Sequence, residues 1–160
     1  MNKIRAEYHK TEYTNGPHLV MMIDGVQLNK IAETIDYHGH LKGLVSTLLN
    51  GWLYNKNEEE VVWERIDLRP NEIKIVPILM CPDDCDFSCT VVVVEMKLDG
   101  DTVKWNKLGI DETLTRADNP KTVGRNIKWF QNIGPFEFRK DDFYHCINTF
   151  KKEKIKIDQQ

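Results

Sequence analysis

EIKIVPILMCPDDCDFSCTVVVVEMKLDGDTVKWNKLGI, residues 72–110, decides the fold. Its two runs EIKIVPILM (72–80) and CTVVVVEMKL (89–98) are rich in β-branched residues and apolar at successive positions. A strand with one wet face alternates polar and apolar residues, whereas an unbroken apolar run fits a strand covered on both sides. DGD (99–101) has the chemistry of a tight hairpin turn into TVKWNKLGI. The stretch therefore reads as a three-stranded antiparallel meander. Pro77 conflicts with a continuous ladder, because proline has no N–H to donate, and it requires a bulge or an unpaired edge.

Toward the N-terminus, KIRAEYHKTEY sets Ile4, Ala6 and Tyr8 among charged neighbours, the period-2 mark of a half-buried strand. TNGP (14–17) turns the chain, HLVMMID (18–24) reads as a second, antiparallel strand, and Asp24-Gly25 ends it. From Val26 to Ile35 the apolar residues Leu28, Ile31, Ala32 and Ile35 recur at helical spacing and predict a first helix. After a polar break, DYHGH (36–40), the residues Leu41, Leu44, Val45, Leu48 and Leu49 predict a second helix that stops near Gly51. VVWERIDL (61–68) follows the acidic run Glu58-Glu59-Glu60 and reads as a strand, with a short helix as the alternative.

Beyond the meander, DETLTRADNPKTVGR (111–125) is polar and holds Pro and Gly, which predicts a surface loop, and NIKWF (126–130) predicts a short strand. Phe143, Cys146, Ile147 and Phe150 mark one face of a C-terminal helix. Asp141 and Asp142 fall in its first turn, where the helix dipole favours negative charge. The sum is an α+β protein: an antiparallel β-sheet, with its central meander at 72–110, and about three helices packed on it, in a single domain over residues 1–160.

Composition narrows the function classes. The 160 residues are 41% hydrophobic and 29% charged, which suits one globular core. A net charge of -3 argues against nucleic acid, since phosphate neutralisation needs a surplus of Lys and Arg on one face. The basic run KKEKIK (151–156) is interrupted by Glu153 and reads as a solvated helix end. MNKIRAEYHK lacks the apolar core of a signal peptide, and LVMMI (19–23) is too short to cross a bilayer. The expected setting is the cytoplasm, with no membrane partner and with thiols kept reduced.

Three of the four cysteines, Cys81, Cys85 and Cys89, stand at C-x3-C-x3-C spacing with Asp83, Asp84 and Asp86 between them. Structural zinc takes four Cys or His ligands, commonly as two close pairs, and here no second pair is near: HGH (38–40) and Cys146 are distant in sequence. The spacing also differs from C-x2-C redox motifs. In a symmetric hairpin Cys81 faces Cys89 at the last rung, residues 82–88 form the loop, and Cys85 sits at its tip. The thiols then pack as small apolar groups. The alternative is a small enzyme or zinc protein built on this loop, in which Cys85 or Cys89 meets His9, His18, His38 or His40 as base. No nucleotide-binding glycine motif, zinc-protease motif or nucleophile elbow occurs, and no cofactor is expected.

The aspartates are turn formers by type, but a loop between interior strands also holds them out at a sheet end. There Asp83, Asp84 and Asp86, joined by Glu58, Glu59 and Glu60, form a candidate acidic patch for a basic protein partner. Trp52, Trp63, Trp105 and Trp129 occupy core or sheet-face positions in this reading. One of them exposed beside acidic groups would mark a binding hot spot.

ILMCPDDCDFSCTVVVVEM (78–96), MMIDGVQL (21–28) and IGPFEFRKDDFYHCINTF (133–150) together resemble a family of small uncharacterised proteins from Bacillus-like bacteria, over most of the chain. In size, acidity and host these are similar to the immunity proteins of bacterial polymorphic toxin systems. The likeness implies a non-enzymatic cytoplasmic module that occludes a basic toxin domain, and it brings over no functional residue.

Overall fold

The computed structural model describes residues 1–35 and 41–158, with side chains to residue 153; DYHGH lies outside the described residues. The chain starts with β1 (Ile4–His9) and β2 (His18–Ile23), antiparallel, with Ile4 opposite Ile23 and His9 opposite His18. Ile4 and Ala6 turn inward as their alternation predicts, whereas Tyr8 is exposed and donates its hydroxyl to Glu153 at 2.7 Å. Asp24 and Gly25 both have positive φ, 51° and 79°, the backbone of a two-residue hairpin turn. The dipeptide therefore reverses the chain into β3 (Val26–Gln27), which pairs with Met22 and Ile23. That ladder consumes the first two residues of the expected 26–35 helix, leaving α1 as Leu28–Glu33.

The expected helix over Leu41–Leu49 does not form. Residues 41–53 run through successive turns around β4 (Val45–Ser46), which pairs with Leu79 and Met80. An amphipathic helix buries one stripe, but here Leu44, Val45, Ser46, Thr47, Leu48 and Leu49 are all buried in succession. Gly43 and Gly51, both at φ 74°, adopt a left-handed backbone that no right-handed helix contains. The next segment reverses the expectation in the other direction: residues 56–66 are helical, not a strand. In α2 (Lys56–Ile66), Asn55 caps the N-terminus by accepting from the Asn57 N–H at 2.9 Å. Glu58, Val61, Val62 and Ile66 make its buried face at helical spacing.

The meander is as expected: β5 (Ile73–Met80), β6 (Val91–Asp99) and β7 (Thr102–Asp111) pair antiparallel in sequence order. Val91 to Val94 are fully buried, which is the two-sided cover that their composition calls for. The ladder slips by one residue between Pro77 and Leu79, the bulge that Pro77 requires. Thr47 meets the carbonyls freed there: its hydroxyl donates to Pro77 O at 2.9 Å and its N–H to Ile78 O at 3.1 Å.

Residues 112–126 loop out, as expected, but the loop is tied down on its inner side around a 3-10 turn at Pro120–Thr122. Arg65 donates to the carbonyls of Ile75, Val123 and Lys121, and the buried Asp111 accepts from Gly124 N–H and the Thr113 hydroxyl. Then β8 (Ile127–Trp129) pairs with one half of β7 and β9 (Phe136–Arg139) with the other. The chain ends in α3 (Lys140–Asp158), with Phe143, Cys146, Ile147 and Phe150 buried as the spacing predicts.

The architecture is α+β, with two antiparallel sheets and three helices among the described residues. The smaller sheet is β1-β2-β3; the larger has β4 to β8 in order, with β9 beside β7. Helix α3 lies against β1, β7 and β9 and so spans both sheets. Between α3 and the larger sheet Trp105 meets Phe138 edge-on at 5.1 Å between ring centres, and Phe143 at 6.4 Å.

Candidate functional site

The β5–β6 connection is folded on itself, and its cysteines do not sit where a symmetric hairpin puts them. The Pro77 bulge shifts the register, so the last rung is Met80 opposite Val91 and not Cys81 opposite Cys89. The two sulfurs nonetheless meet just beyond the ladder, 2.6 Å apart. Cys85 is not at an open tip. It has a left-handed backbone (φ 49°), is buried, and gives its N–H to Cys81 O at 3.1 Å and its Sγ–H to Pro82 O at 3.1 Å. Burial, with Asp86, Asp83 and Asp84 around it, raises the Cys85 thiol above its usual range.

The six candidate carboxylates divide by what they touch. Asp83 and Asp84 are exposed and have no ion pair with a basic side chain among the described residues. Asp86 is half-buried and accepts from the Ser88 N–H at 2.9 Å, a local turn contact that fixes the end of the loop. Glu60 is exposed and Glu59 half-buried on the outer part of α2. Glu58 is not a surface group: it is 2% exposed, and both carboxylate oxygens face the Phe87 N–H, at 3.2 and 3.1 Å. Burial pushes its carboxyl up to about 7, against the pull of that N–H and with a further push from Asp86.

Arg116 completes the anchorage from the other side. Its guanidinium donates to Phe87 O at 2.6 Å and Cys89 O at 2.7 Å, and also to the carbonyls of Asp111 and Thr113. Three features therefore hold the loop: the buried Phe87 ring, the buried Glu58 carboxyl and the half-buried Arg116 fork. The role of Arg116 has no signal in the sequence, since its carbonyl partners on the loop lie 27 and 29 residues away.

Beside the anchored loop lies an open groove of about 370 Å³, lined by Tyr13 to Pro17, Trp52 and Pro82. Trp52 is half-buried and leans on the buried His18 ring, 5.1 Å between centres. His18 is held in turn by Leu19 O at 3.0 Å through Nδ1–H and by the Thr11 hydroxyl at 2.8 Å through Nε2. Burial lowers the His18 pKa. Tyr13 is 55% exposed and Tyr54 78% exposed, and the Tyr54 N–H donates to Cys85 O at 3.3 Å, fixing that aromatic segment to the acidic loop.

Among the described residues no histidine hydrogen-bonds to Cys85 or Cys89: His9 pairs with Glu7, and His18 is engaged as above. His38 and His40 lie outside the described residues. Among those described, no three His, Cys, Asp or Glu side chains converge as a metal-binding group. No described helix is long and apolar enough to cross a membrane. The fold and groove define an α+β protein that presents aromatic side chains beside an acidic loop. No family model, curated protein or solved structure matches the chain.

Proposed function

We propose that this chain is a non-enzymatic, cytoplasmic protein-binding module of the immunity type, which takes a basic segment of a toxin domain into the groove beside residues 81–89 and occludes it. The observation that carries the reading is the juxtaposition of Tyr13, Trp52 and Tyr54 with Asp83 and Asp84, whose charges no basic side chain among the described residues neutralises. Tyr and Trp are enriched among the few residues that carry most of the energy at protein interfaces, and they bury large area at small cost in rotamer freedom. Free carboxylates beside them speed the encounter with a Lys- or Arg-bearing partner and select against acidic ones. Asp83 and Asp84 steer in this scheme, Glu59 and Glu60 extend the acidic field, and Asp86 and Glu58 hold the loop in shape.

A photo-crosslinking side chain at Tyr54 tests this in the cell that makes the protein. The control position is Ile73, exposed at the end of β5 far from the loop, with the strand's length of roughly 23 Å, at about 3.3 Å per residue, between the two ends. Capture from position 54 and not 73, abolished by Asp83→Lys with Asp84→Lys and weakened by salt, is expected. Equal capture at both positions, or capture indifferent to charge reversal and salt, overturns the site. A captured partner that stays active in the complex overturns occlusion.

A further inference from the structure

Partner binding makes no use of the two thiols at the mouth of the loop. Their sulfurs are 2.6 Å apart, about half an ångström longer than the ~2.05 Å of a covalent S–S bond. Both residues are half-buried, so the pair is open to a small reagent. Each backbone is held independently: Cys81 O accepts from Cys85 N–H, and Cys89 O accepts from Arg116. The other two cysteines are placed differently. Cys85 is turned into the loop against Pro82 O, and Cys146 is fully buried on the inner face of α3.

We propose that Cys81 and Cys89 are a redox modification site, closing a reversible disulfide that staples the acidic loop, with a small-molecule disulfide as oxidant. One thiol loses its proton, and its thiolate attacks the reagent RSSR, forming a mixed disulfide and releasing RS⁻. The second thiol loses its proton in turn and attacks the protein sulfur of that mixed disulfide, expelling the second RS⁻. Two protein thiols are oxidised to one S–S bond, and RSSR is reduced to two RSH, which carry away the two protons. Burial and the contact with Cys89 push the Cys81 thiol up to about 11, so the exchange is slow at neutral pH and quickens as pH rises. Such a pair suits a sustained change in redox poise better than a rapid pulse. The inference stands without any partner, because the thiols are counted on the protein alone.

The test treats the full chain with oxidised glutathione, quenches in acid, denatures and counts thiols by alkylation and mass. The wild-type protein is expected to go from four free thiols to two, with the halves of the loop still joined after cleavage at Asp83, Asp84 or Asp86 until reductant is added. Cys85→Ser closes the same bond, whereas Cys81→Ser and Cys89→Ser stop at a mixed disulfide with the reagent. The oxidised protein melts roughly 5 °C above the reduced one. Retention of four thiols at every glutathione ratio, a bond that includes Cys85, or identical melting of the two forms overturns the proposal.

Discussion

Glu58 shows how one side chain can be read correctly for type and wrongly for place. In sequence it heads an acidic run; in the fold it is the innermost of the three glutamates, because α2 turns positions 58, 62 and 66 to the core. Its carboxyl titrates at about 7 in the folded protein against an ordinary value of 4.5. The folded state therefore holds a proton that the unfolded chain has lost, and stability falls as pH rises through that window. Glu58→Gln keeps an acceptor for the Phe87 N–H and removes the charge. Its melting temperature is expected to match the wild type near pH 5 and to exceed it by several degrees near pH 8. A gap that does not change with pH would sink the buried-acid reading. The exposed carboxylates needed no such correction, since Asp83 and Asp84 stand where a loop between interior strands places them. The contacts of Glu58 and Arg116 were hidden because both run to backbone groups far along the chain.

At the scale of elements, legibility followed how many sides of a segment are buried. The meander could be read because β-branched runs bounded by turn residues have one reasonable fate, and α3 could be read because its apolar stripe is clean. Residues 41–53 do not form the expected helix because burial on every side leaves leucines at helical intervals by coincidence, and because Gly43 takes a left-handed backbone that the leucine spacing does not reveal. VVWERIDL (61–68) reads first as a strand because Val61, Val62 and Trp63 are strand formers, whereas the Asn55 cap that starts the helix lies upstream of that run. The strands β3, β4 and β9 were missed, the first two being only two residues long, too short to show a period. Gly109 exposes a further constraint, set by the neighbouring strand. A Cβ there would lie 2.6 Å from Lys128 O and 3.0 Å from Trp129 Cα, both backbone atoms of β8. Gly109→Ala is expected to cost roughly 1–3 kcal/mol in urea denaturation and to raise amide exchange across 127–129. Gly16→Ala is the control, since its Cβ meets nothing within 4 Å. Equal stability of the two variants would show that β8 yields without cost.

Across the whole molecule, the groove depends on how the two sheets are docked. Tyr13 to Pro17 belong to the β1–β2 connection of the smaller sheet, Pro82 to the β5–β6 connection of the larger, and Trp52 to the turns between them. No local pattern in a sequence brings positions 13, 52 and 82 together, which is why the exposure of Asp83 and Asp84 could be read from the sequence and the aromatic wall of the groove could not. The docking rests in part on α3, which lies against β1 on one side and β7 and β9 on the other. The rings of Trp105, Phe138 and Phe143 pack α3 onto β7 and β9, and Asn2 N–H, just before β1, reaches Glu137 O on β9 at 2.8 Å. Phe138→Ala opens a cavity there and is expected to cost about 3–5 kcal/mol. If the sheets form one cooperative unit, tryptophan fluorescence and far-ultraviolet circular dichroism should lose signal at one common, lowered midpoint. Two separated midpoints would mean that the smaller sheet holds its structure alone. The groove would then be a joint between independent parts, and the Phe138 packing beneath α3 would not be what holds its two walls together.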